Sequence, residues 1–329
     1  MAVPKVSFDP AVELSAIHAS IVVATGGVCT DPKTEAALVK PATDINTRLV
    51  SASVNVGVFW NSLFREVMAG QSGREACPGA LAAADCNPLL LDPTAAAVTS
   101  RLDECRLSFQ RRFPKLRDQL KLRAGPLTDR WQSFGPGLLI QIADRIWQAS
   151  PPTGWWPTQV PALLVQPMRG GDGGYDGSSR VWIEAMLTDA HPGVGEVFRL
   201  AYWVARIAID QHLGATQAPS DPDDMGSSGS TSALPWDLGC VPIVLDAAVK
   251  LDLIGRPHLP VADAVQLWRL GDAPAAEAVA SWWTQWADSE APIPVALKAL
   301  ANQLEPLRES PKPRRAGDLE RLADLDGEF

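Results

Sequence analysis

The sequence lacks the short motifs that identify many catalytic sites. It contains no Gly-x-Ser-x-Gly turn, no phosphate-binding loop closed by Gly-Lys-Ser or Gly-Lys-Thr, and no EF-hand loop. Its 4 histidines are too few and too scattered for a zinc site of standard spacing. Motifs therefore assign no reaction and predict no metal site, and they leave any cofactor open.

Cysteine pairs and long apolar runs are also missing. The 5 cysteines are odd in number and form no Cys-x-x-Cys pair, which favours free thiols in a reducing compartment over a disulfide between Cys77 and Cys86. No stretch reaches the roughly 18 apolar residues of a membrane helix, and the first residues lack the pattern of a secretory signal. We expect a cytoplasmic protein that does not enter a membrane.

Positive charge is in short supply. The formal net charge is −9, which argues against nucleic acid as a partner. Hydrophobic residues make up 46% of the chain, enough to bury a sizeable core. The 12 tryptophans outnumber both phenylalanine and tyrosine, so they either fill that core or, with arginine, supply binding surfaces.

Apolar periodicity predicts a chain made mainly of helices. Asp31 followed by proline indicates a helix start. The clearest amphipathic helix is expected to begin with Asp92 as its cap, and another to begin near Pro136. Residues 70–91 contain glycine, proline, asparagine and two cysteines, and we predict a loop there.

Two short strand-like segments interrupt this helical pattern. Prolines at 157, 161 and 167 exclude a long helix. Ala162–Val165 and the segment RVWIEAML are mostly apolar and short, so we predict a small β-hairpin over about 162–187. The fold class is therefore α+β and helix-dominated. The predicted layout is an N-terminal helical domain with the embedded hairpin, a flexible linker, a helical C-terminal region and a tail with one short helix, over residues 1–213, 214–235, 236–307 and 308–329.

The connection between the two strand segments holds five glycines and two aspartates. Successive amides in such a run can converge on an anion, or the aspartates can offer oxygens to a hard cation such as Ca²⁺. The third interpretation is a flexible connection. The ligand-binding candidates here are Gly171, Asp172, Gly173, Gly174 and Asp176.

The helix predicted over 195–213 is apolar around most of its circumference and carries one polar stripe. The stripe consists of Glu196, Arg199, Trp203, Arg206 and Asp210. It either faces water with weak ion pairs or lines a groove for a small anion. Candidates for that anion are Arg199, Trp203 and Arg206, together with Arg130, which precedes another predicted helix start.

Glu184 is the only charged residue in VWIEAML. If its strand is covered on both faces, the carboxylate is buried and needs a cationic partner such as Arg199 or Arg206, or it stays protonated with a raised pKa. Such a pair is usually architectural. In a pocket, Glu184 becomes the candidate general base, and it is our catalytic candidate.

Two features predict a protein partner. Trp282 and Trp286 share one face of a predicted helix, either as core or as an exposed interface. The tail carries a narrow apolar stripe that either docks into a partner's groove or packs back on its own domain. That stripe consists of Leu319, Leu322 and Leu325.

Two functions are compatible with these patterns. The first is a non-catalytic binding or interaction protein that uses surfaces rich in tryptophan and arginine. The alternative is an enzyme acting on a small anionic substrate, with a site formed by the 170–177 loop, Glu184, Arg199 and Trp203. One cleft shared by these residues favours the enzyme, whereas arginines that point into bulk water disfavour it.

Overall fold

The computed structural model describes residues 2–148, 150–189, 191, 193–214, 234–255 and 259–309. Eleven α-helices and one four-stranded sheet make up this part of the chain. The prediction of a helix-dominated α+β fold is thereby confirmed. No helix in the described part is long and apolar enough to cross a membrane.

One strand and six helices come first. Their bounds are β1 Lys5–Pro10, α1 Val12–Ala24, α2 Pro32–Ser51, α3 Val56–Met68, α4 Gly73–Ala83, α5 Pro88–Arg112 and α6 Leu116–Trp147. Helix α2 begins where the sequence indicates, because the Asp31 carboxylate accepts the backbone N–H of Lys33 at 3.1 Å and Pro32 occupies the first turn.

The loop predicted over 70–91 is wrong, because α4 lies within it. Ser72 and Glu75 form a capping box, in which each side chain accepts the other residue's backbone N–H. This Ser-x-x-Glu signal stands in the sequence among glycine and proline. Two reciprocal caps therefore start a helix in a segment whose composition is typical of a loop.

Two helix starts lie earlier than predicted. Helix α5 begins at Pro88 rather than after Asp92, because the Asn87 side chain caps it by accepting the N–H of Leu89 at 2.9 Å. Helix α6 begins at Leu116 and runs through Pro136. Its buried face continues past that proline, so tertiary packing offsets the backbone hydrogen bond that proline removes. This face includes Leu127, Trp131, Leu138, Leu139, Ile142 and Ile146.

The sheet has the order β1-β2-β4-β3, with β2 Gln159–Val165, β3 Gly173–Tyr175 and β4 Val181–Glu184. Strands β1, β2 and β4 are parallel, and β3 is antiparallel to β4. The predicted hairpin is therefore wrong in its pairing. Its two segments run parallel, with Ala162 opposite Val181 and Val165 opposite Glu184, because the connection returns the chain before β4 begins. The hairpin in this sheet joins β3 to β4.

The remaining helices are α7 Glu196–Ile209, followed by a π-helical turn Asp210–Gly214, then α8 Trp236–Lys250, α9 Val261–Leu267, α10 Ala273–Trp286 and α11 Ile293–Glu309. Helix α8 packs against α6 and α7. Most of the predicted linker, residues 215–233, lies outside the described residues. The tail from 310, with Leu319, Leu322 and Leu325, lies outside them as well, and the domain division stays a prediction.

The tryptophans belong to the interior. All twelve lie in the described part of the chain, and none of them is exposed. Trp282 is fully buried and donates its indole N–H to the carbonyl of Ala296 at 2.8 Å, while Trp286 is partly buried against the core. The interpretation of the tryptophans as core therefore holds for Trp282, and its role in an exposed interface is wrong. An interface through the half-buried Trp286 stays a prediction.

Candidate functional site

Three segments meet at the carboxyl edge of the parallel strands. Helix α1, which carries His18, follows β1 directly. The connection 166–172 leaves the end of β2, and β4 ends at Glu184. Ligands of open parallel sheets bind outside the carboxyl ends of the strands, so a ligand site is expected at this edge.

The buried Glu184 carboxylate organises this edge. Its oxygens accept five hydrogen bonds, and the side chain is fully buried. One comes from His18 Nε2 at 2.8 Å. The other four come from the backbone N–H groups of Met168, Arg169, Gly171 and Asp172, at 2.7, 2.7, 2.8 and 3.1 Å. The amides of the glycine-rich run do converge on an anion, and that anion is the chain's own carboxylate.

This arrangement decides the ionisation of Glu184. Burial alone would raise the pKa of the carboxyl group, because a charged form loses its hydration. The hydrogen bond and electrostatic attraction of His18, with the amides of Gly171 and Met168, outweigh burial and hold the pKa well below its usual range. Glu184 is therefore an ionised acceptor whose oxygens already have donors. The role of general base for it stays a prediction.

His18 is held in one orientation by this carboxylate. An ionised Glu184 has no proton to donate, so the proton between the two side chains lies on Nε2 of the imidazole. The other nitrogen, Nδ1, has no hydrogen-bond partner among the described residues. The ring also packs on the Trp182 indole, with 4.8 Å between ring centroids. Nδ1 is thus the ring nitrogen that Glu184 leaves without a partner.

An open cavity of about 300 Å³ lies beside this imidazole. In the lining of this cavity, Arg169 Nη1 donates to Asp172 Oδ2 at 2.9 Å. Its wall combines three aromatic rings with an amide and this ion pair. The residues that matter for its chemistry are His18, Asn61, Phe64, Arg169, Asp172 and Trp182.

Arg199 supports the edge from the other side. The guanidinium is 2% exposed and donates to the carbonyls of Asp172 at 3.1 Å and Glu184 at 2.7 Å. It also donates to the Glu196 carboxylate at 3.1 Å. The predicted pairing of the Glu184 carboxylate with Arg199 or Arg206 is therefore wrong. His18 holds that carboxylate, and Arg206 pairs with Asp210 at 2.9 Å.

Glu196 is largely removed from water, with 12% of its side chain exposed, and has fewer donors than Glu184. Its carboxylate accepts the N–H of Met186 at 2.6 Å and one bond from Arg199. Burial raises the pKa of Glu196 to about 7, and nearby Asp189 adds to the rise while Arg199 opposes it. A cavity of about 20 Å³ adjoins Glu196 and Arg199, which is room for about one water molecule.

The candidate glycines are sites of close approach. Gly171 has φ +142°, and a Cβ there would lie 2.6 Å from the carbonyl oxygen of Leu267. A Cβ on Gly173 or Gly174 would meet an indole nitrogen, that of Trp203 or of Trp182, at 2.7 and 2.5 Å. These positions therefore require glycine for packing.

The other candidate residues do not share one cavity. Asp176 accepts the N–H groups of Ser178 and Arg180 within its own turn. Arg130 forms an ion pair with Asp189 beside a separate cavity of about 150 Å³. Trp203 packs between two tyrosines, Tyr175 and Tyr202. In the part of the chain that the structure describes, no three His, Cys, Asp or Glu side chains are grouped to hold a metal ion.

Sequence reasoning missed most of the cavity residues. His18, Asn61, Phe64, Arg169 and Trp182 were not among the candidates. One signal was available for His18, because it is the only ionisable residue between Glu13 and the end of an otherwise apolar helix. Nothing local in the sequence marks Asn61 or Phe64, which reach the site only through packing of α3 on α1.

Comparison of the chain with protein-family models, with curated proteins and with solved structures found no match.

Proposed function

We propose that the protein binds a small organic ligand in the cavity beside His18. The observation that supports this is an imidazole fixed by a buried carboxylate on the wall of an open cavity. The volume, about 300 Å³, is at the lower end of the range of roughly 300–1,000 Å³ for small-molecule sites.

The lining has the composition of such a site. Phe64 and Trp182 supply an apolar aromatic wall, with 5.1 Å between their ring centroids. Asn61 and the ion pair of Arg169 with Asp172 supply a few polar groups. An apolar wall gives affinity, and a small number of fixed polar groups gives orientation.

The two functions inferred from the sequence stay proposals beside this one. If the protein is an enzyme, the role of Glu184 and Arg199 is to hold the 166–172 connection and His18 in place. Both side chains are buried and form hydrogen bonds with other parts of the chain. For the interaction protein, ligand binding at His18 is compatible with a non-catalytic role. A protein partner would need a surface other than the buried tryptophans.

A cavity-filling variant tests the proposal. Asn61 is an exposed cavity residue on α3, and Asn61→Trp would fill the cavity from its open side. Val58→Trp, one turn earlier on α3 and outside the cavity lining, is the matched control. A fragment library would be screened by thermal shift, since a ligand at a hundred times its Kd stabilises by about 2.7 kcal/mol.

We expect fragments that stabilise the wild type and Val58→Trp but not Asn61→Trp. Soaked crystals would then place such fragments against Trp182 and His18. If fragments stabilise Asn61→Trp as strongly as the wild type, or if the library gives none at all, the cavity is not a ligand site.

A further inference from the structure

We propose that His18 exchanges a proton with the bound ligand through Nδ1, and that this ligand is a planar weak acid with an O–H or N–H group. The inference rests on the proposed ligand cavity and adds to it the class of ligand and the chemistry of the site.

The Nε2 proton of His18 is fixed by its hydrogen bond to Glu184. Four backbone amides and His18 Nε2 donate to one carboxylate. Each of these five partners of the Glu184 carboxylate is therefore a donor. Moving the Nε2 proton onto Glu184 would place an acid O–H among N–H donors in a buried space. Proton exchange by His18 is therefore confined to Nδ1, as for an imidazole oriented by a carboxylate in general-base catalysis.

The aromatic lining of the cavity favours a flat ligand. Phe64 meets Trp182 edge to face at 5.1 Å, and His18 tilts against the same indole. These rings make one wall of the cavity, and Trp182 is only partly buried. A flat ring packs against such a wall with more contact than a branched aliphatic group of the same size.

The charged groups in the lining favour a ligand that becomes an anion. The charged groups around His18 are Glu184, from the end of β4, and Arg169 and Asp172, from the connection after β2. When the ligand's O–H or N–H bond breaks, its electron pair stays on the ligand and the proton forms an N–H bond at Nδ1. The imidazolium then lies against the Glu184 carboxylate, and the ligand anion lies near the imidazolium and the Arg169 guanidinium, which stabilise it.

A coloured weak acid tests this directly. The probe is 4-nitrophenol, a planar ring whose phenolate absorbs in the visible region. The control ligand is 4-nitroanisole, the same ring with a methyl group in place of the acidic proton. We expect 4-nitrophenol to bind and to show its phenolate band at a pH where the free compound is mostly protonated. His18→Asn should abolish that band.

Because His18→Asn removes a buried contact, it can fail to fold, so wild-type protein supplies a second readout. Nitrogen-15 NMR of the His18 ring, at a pH where the ligand-free imidazole is neutral, should show a proton on Nε2 alone without ligand, and protons on both nitrogens with 4-nitrophenol. The anisole should leave Nδ1 unchanged.

Binding of 4-nitrophenol in its neutral form, with Nδ1 unchanged, overturns proton exchange and leaves the ligand cavity standing. Fragments that bind only when the cavity is open, while both nitro compounds fail to bind, overturn the planar weak acid. Absence of all cavity-dependent fragments removes the proposed function and this inference together.

Discussion

Two glutamates that are largely removed from water, Glu184 and Glu196, have carboxyl pKa values shifted in opposite directions. Glu184 receives five hydrogen bonds and has a pKa well below its usual range. Glu196 receives one bond from a backbone amide and one from Arg199, and its pKa is raised to about 7. Both side chains are largely removed from water, so burial does not distinguish them.

The difference lies in how many donors the backbone presents. A carboxylate that accepts several amide N–H groups is stabilised in its charged form, whereas one with few donors keeps most of its desolvation cost. The glycine-rich connection can fold its amides around Glu184 because Gly171 adopts a positive φ. Glu196 stands at the start of α7, where Met186 offers a single amide.

The largest loss in the free energy of unfolding should come from Glu184→Gln. The amide group would set two N–H donors against the backbone donors and remove the charge opposite His18. Each buried donor that is left without its acceptor costs about 1–3 kcal/mol. Urea denaturation at pH 8 measures this free energy of unfolding. A loss below about 1 kcal/mol would show that the amides do not depend on the charge.

The pH dependence of stability should separate the two glutamates. The pKa of Glu196 rises from 4.5 in the unfolded chain to about 7 in the fold, so between these values the folded state binds the extra proton. Stability from this group is therefore present below about pH 4.5 and lost as the pH rises to 7, by about 3 kcal/mol in total. Glu184, with a lowered pKa, contributes stability above about pH 4.5 that is lost as the pH falls further.

Glu196→Gln is the variant that isolates the first effect. We expect it to match the wild type near pH 4.5 and to be more stable by up to about 3 kcal/mol at pH 8. Asp210, whose pKa burial and Asp237 raise to about 6, gives a slope of the same sign, and it cancels in the difference between the two proteins. A difference curve that is flat across this range would contradict the raised pKa.

Local signals in the sequence predicted the parts of the fold that are local. Asp31 with Pro32 marked the start of α2 because a cap acts within one turn. Burial of Glu184 followed from its apolar neighbours in β4. The capping box at Ser72 is equally local. Helix α4 was not predicted because the residues around this box have a composition typical of a loop.

Pairing across the chain could not be predicted in the same way. His18 and Glu184 are 166 positions apart, and no period or spacing relates them. The parallel register of β2 with β4 depends on how the connection wraps the Glu184 carboxylate, which is a tertiary contact. The sequence therefore indicated that Glu184 needs a partner, and the fold alone identifies that partner as His18.

A smaller loss of stability is expected from a change in the connection whose backbone amides donate to Glu184. Gly171→Ala would place a Cβ 2.6 Å from the Leu267 carbonyl at a positive φ, which should cost about 2–3 kcal/mol. Gly177→Ala, also at positive φ but with open space around it, should cost about 1 kcal/mol. Thermal or urea unfolding compares the two. Equal losses would mean that the loop yields at Leu267, and that Glu184 does not require this tight closure.

The smallest effect should come from Arg130, which acts on Glu196 from the exposed side. Arg130 pairs with Asp189 and is about half exposed, and its charge helps to lower the pKa of Glu196. Exposed ion pairs contribute roughly 0–1 kcal/mol, so Arg130→Ala should change stability little.

Arg130→Ala should nevertheless raise the pKa of Glu196, because the carboxylate loses a nearby positive charge while Asp189 stays. NMR titration of the Glu196 carboxyl group measures this, with Arg130→Lys as the control that keeps the charge. A pKa that does not move in Arg130→Ala would mean that burial and Asp189 alone set the high value, and the contrast with Glu184 would then depend entirely on groups inside the fold.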